Sequence, residues 1–262
     1  MSVVDLARFM DDLATESGHA ILPFFRAAFG MDDKARGGAA FDPVTEADRA
    51  AEVALRGMIR QTFPTHGIVG EEFGSDRPEA DCVWVLDPID GTRAFIAGLP
   101  SWGTLIGLTR HGAPVRGLMH QPYLAERFSG DGATARFRGP RGERDLHTRR
   151  AERLADALLA TTDPRLFADG EERERFSRIE AEVRMSRYGT DCYAYCMLAA
   201  GQIDLVVEAG LKPYDIVALI PIIEGAGGVV TTWDGGPASA GGRVVAAGDR
   251  RLHEAALTYL NP

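Results

Sequence analysis

No run of 18 consecutive apolar residues occurs in this 262-residue chain, which removes a membrane-spanning helix from consideration. The opening M-S-V-V-D-L-A-R-F-M-D-D is acidic and amphipathic, where a signal peptide is basic and then apolar, so a cytoplasmic protein is expected. Cysteine is scarce. Cys82, Cys192 and Cys196 are an odd number and lack the spacing of a zinc site or a disulfide framework. Cys192 and Cys196 share a helix face as i and i+4 with no histidine near them in sequence, and all three read as small buried thiols. A surplus of positive charge is also missing. The formal net charge is −9, whereas nucleic acid and anionic membranes reward clustered Lys and Arg, so neither is expected as a partner. The basic run R-G-E-R-D-L-H-T-R-R, residues 141–150, is interleaved with acids and reads as a solvated loop. Repeats and low-complexity linkers are absent. What is present is a chain that is 45% hydrophobic, enough to bury the core of one large domain or two intimately packed halves.

Apolar positions Leu6, Phe9, Met10, Leu13, Ile21, Phe24 and Phe25 recur at helical spacing and predict a first helix over 6–29, kinked at Pro23 and stopped at Gly30. Glycines, Asp42 and Pro43 mark a loop. Thr45 can then cap a second helix with Ala51, Leu55, Met58, Ile59 and Thr62 on one side. Short runs of β character follow at 67–70, 82–86, 104–110 and 115–119, the last two joined by H-G-A-P as a hairpin, and 124–137 continues in this style. Residues 66–140 are therefore expected to be largely antiparallel. Beyond Arg150 the pattern alternates. Strands are predicted at 157–161, 183–186, 203–207, 228–233 and 243–247, and helices at 171–178, 191–200, 215–225 and 250–260. The expected class is α/β: an α+β N-terminal half with an antiparallel sheet over 1–145 and an α/β C-terminal half over 146–262, packed as one compact unit.

Chemistry concentrates at W-V-L-D-P-I-D-G-T-R-A-F, Trp84 to Phe95. A strand delivers Asp87 at its end, Pro88 fixes the backbone, and Gly91 and Thr92 open a helix whose free N–H groups favour an anion. Two carboxylates this close repel and raise each other's pKa unless a cation lies between them. The plainer alternative is that one caps a helix and the other meets solvent. G-E-E at 70–72 and P-Y-D at 213–215 add acids at two more strand-to-loop transitions, where α/β proteins place ligands. Hard oxygen ligands without a nearby histidine or thiolate suit Mg²⁺ or Mn²⁺ over zinc.

Taken together and in order, these motifs resemble the inositol monophosphatase family of metal-dependent, lithium-sensitive phosphatases. The family signatures W-x-x-D-P-[IL]-D-G-T and [WY]-D-x-x-x followed by E-A/G-A-G-G read here W-V-L-D-P-I-D-G-T and Y-D-I-V-A-L-I-P-I-I-E-G-A-G-G. D-P-V-T-E-A-D at 42–48 and G-E-E at 70–72 match its intermediate elements, and the likeness runs from the first helix to about Gly248. The resemblance implies a layered αβαβα sandwich of the inositol monophosphatase and fructose-bisphosphatase type. It further implies that Glu71, Asp87, Asp90, Asp215 and the main-chain carbonyl of Ile89 hold two or three Mg²⁺ ions per site, with Mn²⁺ able to substitute. Asp48 and Thr92 become the pair that helps deprotonate the attacking water, with Glu71 also in the catalytic set. The N–H groups at Gly91 and Thr92 take the remaining phosphate oxygens. The implied substrate is a small-molecule phosphate ester and the implied assembly a homodimer. A haloacid-type phosphatase needs one residue between its aspartates, as in D-x-D-x-T; Pro88 and Ile89 make two here, which disfavours it.

Substrate choice is expected in side chains that face the leaving group. Inositol enzymes continue D-G-T-T-N-F, whereas this chain has D-G-T-R-A-F, with Arg93 and Ala94, and carries Y-G-T-D-C-Y-A-Y at 188–195 in place of G-[ST]-A-A. Both departures resemble the histidinol-phosphate phosphatase branch, as do G-L-P-S-W-G-T-L-I-G-L and V-V-E-A-G-L-K-P-Y-D. Histidinol phosphate carries an ammonium and an imidazole, which an acidic pocket of Asp191 and Glu208 complements. Asp191 can instead N-cap the helix that follows. Glu208 matches the position that meets substrate hydroxyls in inositol enzymes, so it does not discriminate, and none of the six histidines is assigned to catalysis. The expected activity is Mg²⁺-dependent hydrolysis of histidinol phosphate, with inositol 1-phosphate, a bisphosphate nucleotide or fructose 1,6-bisphosphate as alternative substrates. A metal-binding regulatory protein without turnover is the non-enzyme alternative. Retention of Glu71, Asp87, Asp90, Asp215, Asp48 and Thr92 together argues against it.

Overall fold

The computed structural model describes residues 5–27, 31–33, 43–168 and 170–261. Helix α1 (Leu6–Ile21) starts under Asp5, whose carboxylate accepts from the N–H groups of Ala7 and Arg8. It ends at Ile21, short of the expected 29, because Pro23 lacks the N–H that the His19 carbonyl would need; turns follow to residue 27. Strands β1 (Met31–Asp33) and β2 (Pro43–Thr45) pair antiparallel, and α2 (Glu46–Thr62) follows. Gly30, Asp42 and the side chain of Thr45, which the sequence reading used as stop, loop marker and cap, lie outside the described residues.

A sheet of eight strands comes next: β3 (Gly67–Gly70), β4 (Gly74–Asp76), β5 (Cys82–Asp90), β6 (Gly103–Arg110), β7 (Ala113–Gln121), β8 (Glu126–Gly130), β9 (Ala135–Gly139) and β10 (Gly142–Asp145). Their order is β10-β9-β8-β7-β6-β5-β3-β4, and every pairing is antiparallel except β3 with β5. The short helix α3 (Thr92–Ile96) leaves the end of β5. A second sheet, ordered β12-β11-β13-β15-β14, is built from β11 (Leu158–Thr161), β12 (Met185–Tyr188), β13 (Leu205–Leu211), β14 (Val229–Thr232) and β15 (Gly242–Ala247). Helices α4 (Glu171–Glu182), α5 (Asp191–Ala199), α6 (Pro213–Ile216), α7 (Ile220–Gly225) and α8 (Arg250–Leu260) complete the chain.

Strand alternation sorts these elements into five layers. Trp84, Leu86, Ile106 and Leu118 of the first sheet pack on Phe9, Leu13, Leu55 and Ile59 of α1 and α2. From the opposite face, Leu105, Met119 and Phe128 meet α5 and α7, whose far side receives Ala160, Val206, Val244 and Ala246 of the second sheet. The outer face of that sheet, through Leu159, Leu205, Val207 and Val245, is covered by Phe176 of α4 and by Leu252 and Ala256 of α8. The result is the expected αβαβα sandwich.

Local departures have local causes. The helix expected over 215–225 is two helices, because Pro221 cannot donate to the Val217 carbonyl and the chain turns at 217–219. The strand expected at 183–186 lies at 185–188, since Val183 is the C-cap of α4. Strand β13 runs on to Leu211, which places Glu208 inside the sheet. The run 141–150 is not a plain solvated loop: Gly142–Asp145 forms the edge strand β10, and Arg149 pairs with buried Asp204 (Nε–Oδ1 2.9 Å). Every residue of β10 is exposed, so no apolar face announces it. Cys192 and Cys196 are buried as expected, whereas Cys82 is half-buried. No helix of the described residues is long and apolar enough to cross a membrane.

Candidate active site

Residues three apart on a regular strand point to opposite faces, so Asp87 and Asp90 should diverge. They do not, because β5 carries a bulge: Asp87 pairs with Leu105 and Asp90 with Gly103, three steps on one strand against two on the other. The extra residue turns both carboxylates to one side. Pro88, which has no N–H for a ladder, fits at such an irregularity, and its carbonyl accepts from Thr104 Oγ1 at 2.8 Å.

Asp215 joins the pair from α6, where its Oδ2 accepts from the Lys212 N–H at 2.7 Å. One carboxylate oxygen from each of Asp87, Asp90 and Asp215 lies within 4.8 Å of the others, a set that can hold a cation. Asp90 Oδ2 also accepts from the Cys192 N–H at 2.7 Å and so caps α5 from another element. Asp87 is buried, and its Oδ1 has no hydrogen-bond partner among the described residues. Burial first, then the charges of Glu71, Asp90, Asp215 and Asp48, push the Asp87 carboxyl well above the ordinary range. Asp90 is pushed up by burial, then by Asp191 and Asp215, and pulled back by Cys192. An orphaned buried oxygen amid mutually repelling carboxylates fits a bound divalent cation.

These three aspartates share a cavity of about 280 Å³ with Glu71, Asp191 and Glu208, so six carboxylates line one space. Glu71 reaches it from the turn after β3, outside the three-oxygen cluster, with its N–H donated to the Leu86 carbonyl at 3.2 Å. Ile89, Gly91 and Thr92 line the same wall. Thr92 opens α3, and its Oγ1 donates to the Ile89 carbonyl at 3.1 Å. Gly91 takes φ +84°, and a Cβ there would stand 3.1 Å from both Asp191 Cβ and Trp102 Cα, so the N-cap of α3 has to be glycine. Asp48 is buried in the first turn of α2 behind this cavity, close enough to act on Asp87 but not part of the lining. Arg93 is exposed and also outside the lining, although its charge bears on Asp163 and Asp191.

The capping alternative for Asp191 does not hold. Thr190 is the N-cap of α5, whereas Asp191 occupies the first helical turn with φ +41° and lines the cavity. Such a backbone is uncommon for a non-glycine residue and collects at functional sites. Burial raises the Asp191 carboxyl to about 6 against the lowering effect of Arg93. Glu208 is buried more fully and raised to about 8 by that burial, despite donors from Thr162 N (2.6 Å), Thr162 Oγ1 (2.9 Å) and Thr161 Oγ1 (3.3 Å). Thr162 and Leu166 in the lining were missed by sequence reasoning, as were the buried charges Glu52 and Arg56 on α2. For the last two a signal existed: they fall at i+4 and i+8 from Asp48, on a face otherwise expected to be apolar.

An acidic cavity that can hold cations beside the start of α3, in a five-layer sandwich, suits the chemistry of a metal-dependent phosphatase. The inositol monophosphatase family matches residues 4–261, and the chain belongs to that family. It is 44% identical to the bifunctional phosphatase IMPL2, chloroplastic, of Arabidopsis thaliana, over 99% of this chain and 77% of that protein. Identity to the histidinol-phosphatase of Mycobacterium tuberculosis is 37%, over 84% of this chain and 85% of that one. The solved structure of an inositol monophosphatase from Zymomonas mobilis superimposes with a TM-score of 0.86 at 45% identity, covering 97% of both chains.

Proposed function

We propose that this phosphatase hydrolyses histidinol phosphate to histidinol and phosphate. The observation that carries the reading is the pair of acids in the cavity lining outside the three-oxygen cluster: Asp191, in a strained backbone, and Glu208, braced by Thr161 and Thr162. A leaving group with an ammonium and an imidazole complements that pair, whereas a neutral polyol needs mixed donors and acceptors. The relative named histidinol-phosphatase supports the same choice.

Glu71, Asp87, Asp90, Asp215 and the Ile89 carbonyl hold Mg²⁺, with Mn²⁺ as a substitute. When bound, the ions supply charge neutralisation for the phosphate and a water of lowered pKa. The chain does the rest. Backbone N–H groups of Gly91 and Thr92 at the start of α3 take phosphate oxygens. The Thr92 hydroxyl, which here donates to the Ile89 carbonyl, would turn to relay the proton of the attacking water, taking it on the oxygen and passing its own to the buried Asp48 carboxylate. Arg93, exposed outside the lining, is the remaining substrate-binding residue of this reading, and its charge acts on Asp191. In this reading residues 1–145 contribute the ligands other than Asp215, and residues 146–262 contribute Asp215, Asp191 and Glu208, with both halves acting as one unit. A cytoplasmic homodimer belongs to the same proposal.

A second reading, activity on inositol 1-phosphate as well, is favoured by the 44% identity to a phosphatase described as bifunctional and the 45% identity to an inositol monophosphatase. Phosphate release from histidinol phosphate, inositol 1-phosphate, adenosine 3′,5′-bisphosphate and fructose 1,6-bisphosphate, with Mg²⁺ and with chelator, separates the readings. Histidinol phosphate should lead the panel. A lead for any other ester overturns the assignment, and chelator-resistant turnover overturns the metal chemistry.

A further inference from the structure

The buried face of α2 carries charges beside its apolar Ala47, Ala51, Leu55 and Ile59. Asp48, Glu52 and Arg56 follow one another at i, i+4 and i+8 and are 1%, 0% and 5% exposed. Only Asp48 has a place in the chemistry described above. Glu52 accepts from Arg56 Nε at 2.7 Å, from the backbone N–H of Glu72 at 2.8 Å and from that of Phe73 at 3.2 Å. Arg56 in turn donates through Nη2 to the Gly74 carbonyl. These bonds tie residues 72–74, at the turn between β3 and β4, to α2, alongside the ion pairs of Arg49 with Glu72 and Arg60 with Asp76 at the surface of the same helix. The fit leaves no room for adjustment: a Cβ on Gly70 would fall 2.0 Å from Glu52 Oε1 and 2.9 Å from Arg56 Nη2.

A buried ion pair is poor evidence for stability, because desolvation offsets its attraction and apolar residues of similar volume serve as well. What the pair supplies here is direction. A carboxylate accepting adjacent backbone N–H groups sets the orientation of the 71–72 and 72–73 peptide planes, the first of which follows directly on Glu71, and the guanidinium balances its charge so that no further net negative charge is added beside six carboxylates. We propose that Glu52, backed by Arg56, is a positioning residue of the active site, fixing the turn that carries Glu71 against the helix that carries Asp48. The inference rests on the reading of Glu71 as a metal ligand. Groups that orient ligands in this way typically affect metal affinity by 10- to 100-fold.

The test compares Glu52→Gln with Glu71→Gln. Each is measured for the Mg²⁺ concentration giving half-maximal phosphate release, for kcat at saturating Mg²⁺, and for the rise in Tm that Mg²⁺ produces without substrate. Glu52→Gln should raise the half-saturating Mg²⁺ at least about tenfold and shrink the Mg²⁺-induced rise in Tm, while kcat at saturating Mg²⁺ recovers to within a few-fold. A purely structural role would lower the metal-free Tm and leave the Mg²⁺ dependence unchanged; with Glu71→Gln shifted, that result overturns the proposal. If Glu71→Gln leaves the Mg²⁺ dependence unchanged as well, the ligand reading of Glu71 falls and takes this inference with it. Should Glu52→Gln fail to fold with Arg56 left unpaired, the double replacement Glu52→Met and Arg56→Met keeps the volume, and the same outcomes decide.

Discussion

At the scale of single residues, the site is arranged against the stability of the metal-free protein. Asp87 is the clearest case, since burial and four neighbouring acids oppose its charge and its Oδ1 has no partner among the described residues. Asp87→Asn should therefore raise the Tm of the metal-free protein by a few degrees while lowering turnover by orders of magnitude; a lower metal-free Tm would show that the carboxylate is already satisfied. Glu208 yields a pH dependence with a definite sign. Its carboxyl is raised from 4.5 to about 8, so the folded state holds the proton more tightly than the unfolded chain does. That stabilisation is complete below 4.5 and is lost as pH rises through 8. Glu208→Gln should accordingly flatten the decline of metal-free Tm between about pH 5 and pH 9, and an unchanged slope would place the titration elsewhere. The clustered aspartates were legible in the sequence because short motifs spell them out, Asp87 and Asp90 in one and Asp215 in another. Glu52 is marked there only as a charge at i+4 from Asp48 on a face expected to be apolar; its role was not legible, because its backbone partners lie 20 and 21 residues further along.

At the scale of elements, the site depends on how strands end. The bulge at Asp87–Asp90 turns a strand with opposed aspartates into one with both on the same side, and α3 begins as soon as the strand stops. Gly91 is the hinge of that arrangement. Gly91→Ala should cost about 1–2 kcal/mol from the left-handed backbone alone. Because its methyl group would press on Asp191 and Trp102, it should also impair turnover more than a surface substitution of equal thermal effect. Normal kcat/KM in a destabilised Gly91→Ala enzyme would contradict the roles proposed for Gly91 and Asp191. Periodicity predicted most of these elements, since buried faces leave a period of two or 3.6. It failed where that signal is absent. Strand β10 is exposed along its whole length, and the bulge is a matter of pairing register, which a single strand's sequence does not carry. The break before α7 was readable in principle from Pro221, as was the end of α1 from Pro23.

At the scale of the whole molecule, the five layers bring acids from distant parts of the chain to one cavity. Glu71 comes from the turn after β3, Asp87 and Asp90 from β5 of the first sheet, Asp191 and Asp215 from α5 and α6, and Glu208 from the second sheet. The acids proposed for recognition of the leaving group share one cavity with those proposed for the phosphate, Asp191 close enough to act on the charge of Asp90, so the two roles are told apart by comparing esters. The most direct measurement is kcat/KM for histidinol phosphate and for inositol 1-phosphate in the unmutated enzyme and in Asp191→Asn, all at saturating Mg²⁺. Both esters present the same phosphate to the same groups, so only the difference between them reports on the leaving group. The account predicts that histidinol phosphate is preferred by the unmutated enzyme. Asp191→Asn should then lose about 1.5–3 kcal/mol, roughly ten- to a hundredfold, on histidinol phosphate with little change on inositol 1-phosphate. Equal losses on both esters, or a preference of the unmutated enzyme for inositol 1-phosphate, would contradict it.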